Sequence, residues 1–557
     1  MRMTRTPTPS SAATTRLRLV SQAIDCGMLY GPARDNQFEF KTPAEVVADR
    51  KRLGVRGGFI RSLTADSLSM LDAAREIETF CHSKVARGAF FPAYTLHPTE
   101  LFSEGATEAF AALLQKNTPY ILRLFVNGRE DYFQLCLRFL STHMGDRPII
   151  AMLPVSEIPS LTMLITEARK HPQIRFVLTE HMWNGDSKVH AAMAETENIW
   201  TDTSLGHTAD NVESFVSRYG AGRVVLSLGF RAVGGASLAS VLGAGISDEE
   251  KEAILFGNVT KLLGIPWCEE DVPPAASLPD GIWKSFLANG RPDLPVIDCH
   301  GHFGPVAAWP VHEQQEAVQI PRKCAEMEGQ NLRYFIFSHS RALFADPAEG
   351  NVIAEKQVIE ANDPRILSYF VYNPRYAASL APYIDRVPRS KIFIGFKILC
   401  DYWRVPMNSP GFDPMWEIAD RHQLPILIHT WEGPYNSPAM IDPIAERYPN
   451  ARFILAHCGG TDDGRKEAEE VAKKHRNVSL EWCGSFLTHK PWEDTIREIG
   501  SHKLLFGTDA VYHSHEWELA RLLSVPLEPE AFRRILHDNM MAIITPLLTS
   551  RDLRSIF

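Results

Sequence analysis

Five residues in the second half of the chain carry side chains suited to divalent-metal chemistry. His300 and His302 close one apolar run as an HxH pair; His429, His457 and Asp509 close three others. Strand residues two apart point to the same side, so both imidazoles of HxH can grasp one ion. Imidazole nitrogen with carboxylate oxygen suits Zn²⁺ and related ions, and three or four protein ligands leave a position for water or substrate. Such an ion acidifies its water or polarises a bound carbonyl. A single strand-end histidine is ordinarily a hydrogen-bonded core residue. Five such termini facing one point would instead carry a large desolvation cost with nothing between them. One divalent ion is therefore expected, zinc first and manganese as the alternative.

The elements that must position these residues are short apolar runs: PVIDCH, RYFIFSH, ILSYFVYN, IFIGFKI, PILIHT, RFILAH, NVSLEW and KLLFGTD. Runs of four to six residues without strict alternation suit strands buried on both faces of a parallel sheet. Amphipathic segments such as RKEAEEVAKKHR separate them. Eight strands alternating with helices in about 260 residues predict a (β/α)8 barrel, a TIM-like α/β fold whose strand C-termini converge on one open face. A doubly wound open sheet is the alternative, but it would usually show a glycine-rich first turn, and none is present.

The same pattern occurs twice. IDCGMLYGP from Ile24 matches IDCHGHFGP from Ile297, RPIIAM from Arg147 resembles LPILIH from Leu424, and RFVLTEH from Arg175 matches RFILAHC from Arg452. Order and spacing are both kept, which predicts tandem barrels. The expected organisation is a disordered tail over 1–16, a degenerate barrel over 17–270, a linker over 271–294 with one short helix around 281–289, and a second barrel over 295–557. The linker is rich in proline, glycine and acidic residues. By the repeat offsets, Gly27, Leu29, Met152, Glu180 and Gly229 stand where the second copy has His300, His302, His429, His457 and Asp509. The first copy is thus expected to fold without a metal site. Seven of the 20 histidines precede residue 275, in line with that asymmetry.

Composition narrows the function classes. With 557 residues, 45% apolar and 22% charged, two large cores fit comfortably. A net charge of −9 without a clustered basic face disfavours nucleic acid, and no run approaches the roughly 18 apolar residues of a membrane span. The basic, Ser/Thr-rich start lacks the apolar stretch of a secretory signal. Nine scattered cysteines without a CxxC pair read as reduced thiols, pointing to a cytoplasmic protein. The expected partner is a small molecule.

From Pro295 to about Ile544 the chain resembles the amidohydrolase superfamily, in the branch of aminocarboxymuconate semialdehyde decarboxylase, resorcylate-type decarboxylases and several lactonases. The resemblance rests on DCHGH, YNP, GFKI, LIHT, LAHCGG and FGTDA in order. It implies that His300, His302, His429 and Asp509 hold the ion, that His457 lies beside the metal-bound water, and that Asp509 doubles as ligand and general base. Lys397 of GFKI is read as a substrate-carboxylate contact, with a metal-bridging carbamate as the alternative. Trp431, His339 and His513, on loops of the same face, complete the expected substrate pocket.

Three functions follow. The first is a metal-dependent hydrolase of a lactone, amide or ester, with Asp509 and His457 handling the proton. The second is a metal-dependent decarboxylase of an aromatic or enoic acid. The third is a non-catalytic scaffold with a vestigial metal. The fourth-strand context tilts the reading towards hydrolysis. The first barrel is expected to pair with the second inside one chain, as family members often pair in homodimers, and further oligomerisation is possible.

Overall fold

The computed structural model describes residues 9–31, 40–116, 119–145, 147–183, 185–230, 233–267, 278, 280–306, 315–484 and 492–549. The chain divides into two units, Met1–Asn289 and Gly290–Phe557. In the first, eight parallel strands follow in sequence order: β1 (Ile24–Tyr30), β2 (Gly57–Ser62), β3 (Phe90–Leu96), β4 (Ile121–Leu124), β5 (Ile149–Pro154), β6 (Ile174–Thr179), β7 (Ile199–Asp202) and β8 (Val224–Val225). The second repeats this with β9 (Val296–Phe303), β10 (Leu332–His339), β11 (Ile366–Val371), β12 (Phe393–Ile398), β13 (Pro425–His429), β14 (Arg452–Ala456), β15 (Val478–Glu481) and β16 (Leu504–Leu505). All eight runs read from the second copy form strands.

Each sheet closes on itself by the same bond. Cys26 N–H donates to the Leu226 carbonyl (2.9 Å), and Cys299 N–H donates to the Phe506 carbonyl (3.0 Å). Beside each closure a buried aspartate ties the first strand to the last. Asp25 Oδ1 accepts from the N–H groups of Gly27 (2.8 Å) and Leu228 (2.9 Å). Asp298 Oδ1 accepts from those of His300 (3.2 Å) and Thr508 (3.1 Å). The second oxygen differs: Asp25 Oδ2 holds Arg50 Nε at 2.7 Å, whereas Asp298 Oδ2 takes the Thr508 hydroxyl at 2.5 Å. Two unpaired strand ends are thereby satisfied in both copies, as buried backbone donors require.

The barrel strands are buried on both faces: every residue of β2, β4, β9, β11 and β12 is buried. Their interiors are filled by side chains such as Phe59, Ile121 and Ile150 in the first barrel. Burial of each such side chain contributes about 1.5–3 kcal/mol. The residue between the HxH histidines is glycine for a steric reason: a Cβ on Gly301 would lie 2.1 Å from the Phe335 ring.

Two features differ from the sequence reading. The tail expected to be disordered over 1–16 contains the start of a helix, Pro9–Gln22, with Leu19 and Val20 buried. Arg16 fixes that helix by donating to the backbone carbonyls of Leu242 (2.7 Å) and Leu287 (2.8 Å). The short linker helix exists as Ile282–Asn289, but it packs into the first unit, where Trp283 Nε1 donates to the Leu53 carbonyl (3.2 Å). The division therefore falls after Asn289, while the boundary expected near 275 lies outside the described residues. The eight described cysteines are all free thiols, seven of them buried. Among the described residues no helix is long and apolar enough to cross a membrane.

Candidate active site

Strand ends of the second barrel bring the sequence-selected residues to one mouth. His300 and His302 end β9, with ring centroids 5.2 Å apart. His302 Nε2 lies 2.7 Å from Asp509 Oδ1, and His300 Nε2 lies 3.5 Å from the same oxygen. Ligand atoms of His300, His302 and Asp509 all fall within 4.8 Å of one another. His457, after β14, has its ring 5.1 Å from His300 and 4.6 Å from His429. His429 is not in the three-residue group; its Nε2 faces Asp401 Oδ2 at 3.6 Å.

Three of the imidazoles share one orientation. The Nδ1 side of His300 meets Glu481 Oε2 at 2.9 Å, that of His302 meets the Ser338 carbonyl at 3.1 Å, and that of His457 meets the Cys483 carbonyl at 2.8 Å. The Ser338 and Cys483 carbonyls can only accept, so Nδ1 of His302 and His457 carries the proton and their Nε2 turns a lone pair inward. His300 is held at Nδ1 by the Glu481 carboxyl, and its Nε2 faces inward to accept from Lys397. This outer hydrogen bond to carboxylate or backbone is how metal-binding histidines have their tautomer and ring orientation set. The donor set, imidazole nitrogens beside a carboxylate oxygen, fits a divalent metal ion such as zinc, with manganese also accommodated through the carboxylate.

Electrostatics follow from burial. His300, His302, Lys397, His457 and Asp509 are all at most 6% exposed. Burial lowers the pKa of His300 and His429 well below the usual imidazole value, and takes His457 down to about 4. Burial alone would raise Asp509, but His300 and His302 hold its carboxyl well below the ordinary range. Lys397, on β12, donates from Nζ to His300 Nε2 at 3.0 Å. Burial lowers its pKa, although the nearby Asp509 pulls the other way.

The remaining expected pocket residues are placed differently. Trp431 stacks parallel to His429 at 6.3 Å and 12°. It sits directly on Gly460 (φ +72°), where a Cβ would come within 2.2 Å of the indole. His513 turns Nε2 towards Asp509 Oδ2 at 4.0 Å while Nδ1 pairs with Glu518 at 3.0 Å. His339 is occupied on both nitrogens, by Glu316 (3.1 Å) and by the Arg341 N–H (3.2 Å) whose helix it caps.

The structure adds residues that the sequence reading passed over. Glu481 ends β15, wholly buried, its pKa raised by burial to about 8. Cys483 Sγ lies 3.2 Å from His300 Nδ1, and His300, His457, Glu481 and Cys483 form a second compact group of potential ligands. Glu481 is the one acid in the run NVSLEW, next to its end, so a lone acid near the end of an apolar run was the available signal.

The profile of the amidohydrolase family (Amidohydro_2) matches residues 297–542. No curated protein matches the chain. Solved structures similar to one half of it include 5-carboxyvanillate decarboxylase from Sphingomonas paucimobilis, at 15% identity over 45% of this chain and 99% of that one, TM-score 0.35. The enzyme of that name from Novosphingobium aromaticivorans, complexed with manganese and 4-hydroxy-3-methoxy-5-nitrobenzoic acid, is 14% identical over 45% of this chain and 96% of that one, TM-score 0.35. 2,6-Dihydroxybenzoate decarboxylase from Rhizobium is 14% identical over 45% and 99%, TM-score 0.36.

Proposed function

We propose, from the match of residues 297–542 to the amidohydrolase family, that the second barrel is a metal-dependent decarboxylase of a small carboxylic acid. His300, His302, His429 and Asp509 are the ligands in this reading, and a divalent ion bound by them supplies Lewis acidity that polarises the substrate. The metal reading rests on the common orientation of three imidazoles, each held at Nδ1 from outside the mouth with Nε2 facing inward.

Lys397 carries the choice of reaction. Its ammonium lies 3.0 Å from His300 Nε2 in a buried mouth, where it can pair with a substrate carboxylate during binding. The other facing groups, His457 Nε2 and the ionised Asp509, are proton acceptors. Cleavage of the carbon–carboxyl bond leaves the electron pair on carbon and releases CO₂; Lys397 then delivers its proton to that carbon and is reprotonated from water. The lowered Lys397 pKa makes it a better general acid. Trp431 and His513 flank the substrate; His339 supports the helix behind the mouth.

Hydrolysis of a lactone, amide or ester is the second reading. It is favoured by the pair of acceptors Asp509 and His457, which suits deprotonation of an attacking water. The deciding experiment incubates metal-loaded protein with aromatic and enoic acids and with lactones in D₂O. Decarboxylation predicts CO₂ release with deuterium at the former carboxyl carbon, and loss of at least about 100-fold in rate for K397M, within the span of general acid–base catalysis. Turnover of lactones with no CO₂ from any acid would instead establish hydrolysis.

A further inference from the structure

The first barrel keeps a pocket at its mouth although every metal ligand is replaced. Gly27, Leu29, Met152, Glu180 and Gly229, the counterparts of the five second-barrel residues, all line one cavity of about 50 Å³. Two arginines open into it as well. Arg123 on β4 stands where β12 has Lys397, and Arg61 on β2 pairs in register with Leu29. Each is only 8% exposed.

Both guanidiniums are held from outside the pocket. Arg61 Nη1 donates to Asp66 Oδ1 (2.7 Å) and Thr95 Oγ1 (3.1 Å). Arg123 donates from Nη1 to the Leu124 carbonyl (2.5 Å) and from Nη2 to Glu157. A guanidinium has five N–H donors, and those bonds do not take up Nε and Nη2 of Arg61 or Nε of Arg123. Glu180 lines the same cavity, with backbone φ of +56° against +64° for His457, so it leaves the strand as that histidine does. Burial raises its pKa against the pull of Arg123 and Arg61.

The charge count selects the ligand. Asp66 and Glu157 offset the two arginines, which leaves the carboxyls of Glu180 and Asp202, both on the lining, as the surplus acids beside N–H donors unused among the described residues. A plain carboxylate would add further negative charge, whereas a zwitterion satisfies both sides. The cavity has room for only a few waters' worth of ligand, and Cys26, Phe59 and Ile121 make its floor apolar. We propose that the first barrel binds a small α-amino acid, its carboxylate on Arg61 and Arg123, its ammonium on Glu180, and a short apolar side chain on the barrel floor. This site is independent of the reaction assigned to the second barrel.

Calorimetric titration of the full chain with L-alanine, propionate and L-alaninamide tests it. Alanine is expected to bind at one site per chain, with propionate and alaninamide at least about tenfold weaker, the scale of one lost charged hydrogen bond. R123M and E180Q should each weaken alanine binding by about tenfold or more, while H302A, which disrupts only the second mouth, leaves it unchanged. Absence of alanine binding at millimolar concentration, equal binding of propionate, or loss of binding in H302A would overturn the proposal. Should R123M fail to fold, E180Q and the three-ligand comparison on the unmodified chain still decide.

Discussion

The two mouths share a frame and differ in nearly everything that faces the centre. Asp25 and Asp298 lock first strand to last through equivalent bonds. Glu180 and His457 have φ of +56° and +64°, and Gly229 and Asp509 both have +60°. Asp202 ends β7 as Glu481 ends β15, both buried carboxyls pushed up by burial, to about 7 and about 8. Inside that frame the second barrel gathers imidazole lone pairs, and the first gathers fixed guanidinium charge. The barrel fold itself therefore does not require one particular chemistry at its mouth, as expected where function is grafted onto a fold.

The contrast can be broken most severely at His302. Its replacement by alanine removes an inward lone pair, and an ion worth several kcal/mol of transition-state stabilisation should be lost with it. At least about 10³-fold lower kcat/KM is expected, with metal content falling in elemental analysis; unchanged metal content and turnover would refute the centre. On the other side, Arg50 pairs with Asp25 in a fully buried bridge. R50M leaves that carboxylate unpaired and should destabilise the first unit by about 3–5 kcal/mol, read by urea unfolding. The second barrel has no arginine there, using Thr508 instead, so T508V should cost less.

A finer test is E481Q, which keeps shape but weakens the anchor of His300 Nδ1. Metal affinity should drop about 10–100-fold, measured by competition with a chromophoric chelator; D202N in the first barrel should leave it unchanged. The smallest effect separates the units by pH. His457 falls to about 4 when folded, against about 6.5 unfolded. The unfolded chain thus binds more protons between those values, and the second unit loses stability as pH falls from about 6.5 to about 4. His300 and His429 shift the same way and add to this slope.

His181 behaves oppositely. Burial would lower its pKa, but Asp186, bonded to Nδ1 at 2.6 Å, raises it to about 9. Its stabilisation is complete below about 6.5 and is lost as pH rises through about 9. Hydrogen exchange resolved by peptide should show acid loosening between pH of about 6.5 and about 4 in residues 290–557, with a smaller alkaline loss there as Glu481 ionises near about 8. Alkaline loosening should dominate in residues 1–289, where Asp202 at about 7 adds to His181, and H181N should reduce only that response.

Much of this was legible in the sequence. Apolar runs without alternation marked all eight strands of the second barrel, and the repeat offsets carried the reading into the first. The offsets also chose five first-copy positions that meet in one cavity. Residues whose role is set by contacts across the barrel escaped. Glu481 reaches His300 across 181 positions, and Arg61 gains its meaning only beside Thr95 and Arg123. His339 illustrates the converse: its place at a strand end suggested substrate, whereas local bonds to Glu316 and Arg341 occupy it. The helix Ile282–Asn289 sits in a stretch whose composition reads as linker, yet Trp283, Phe286 and Leu287 bury it against the first unit.

The left-handed turns at the strand ends have a further consequence. A non-glycine side chain there costs roughly 1–2 kcal/mol, so Asp509 and His457 hold conformations that the surrounding barrel must enforce. Because the path of the chain is set before any particular side chain occupies it, a single codon change at such a corner exchanges acid, imidazole or hydrogen without rerouting the backbone. Descendants of one duplicated gene could thus diverge in chemistry by point substitution alone, with relaxation to glycine at 229 releasing local strain in the copy that no longer needs an acid there.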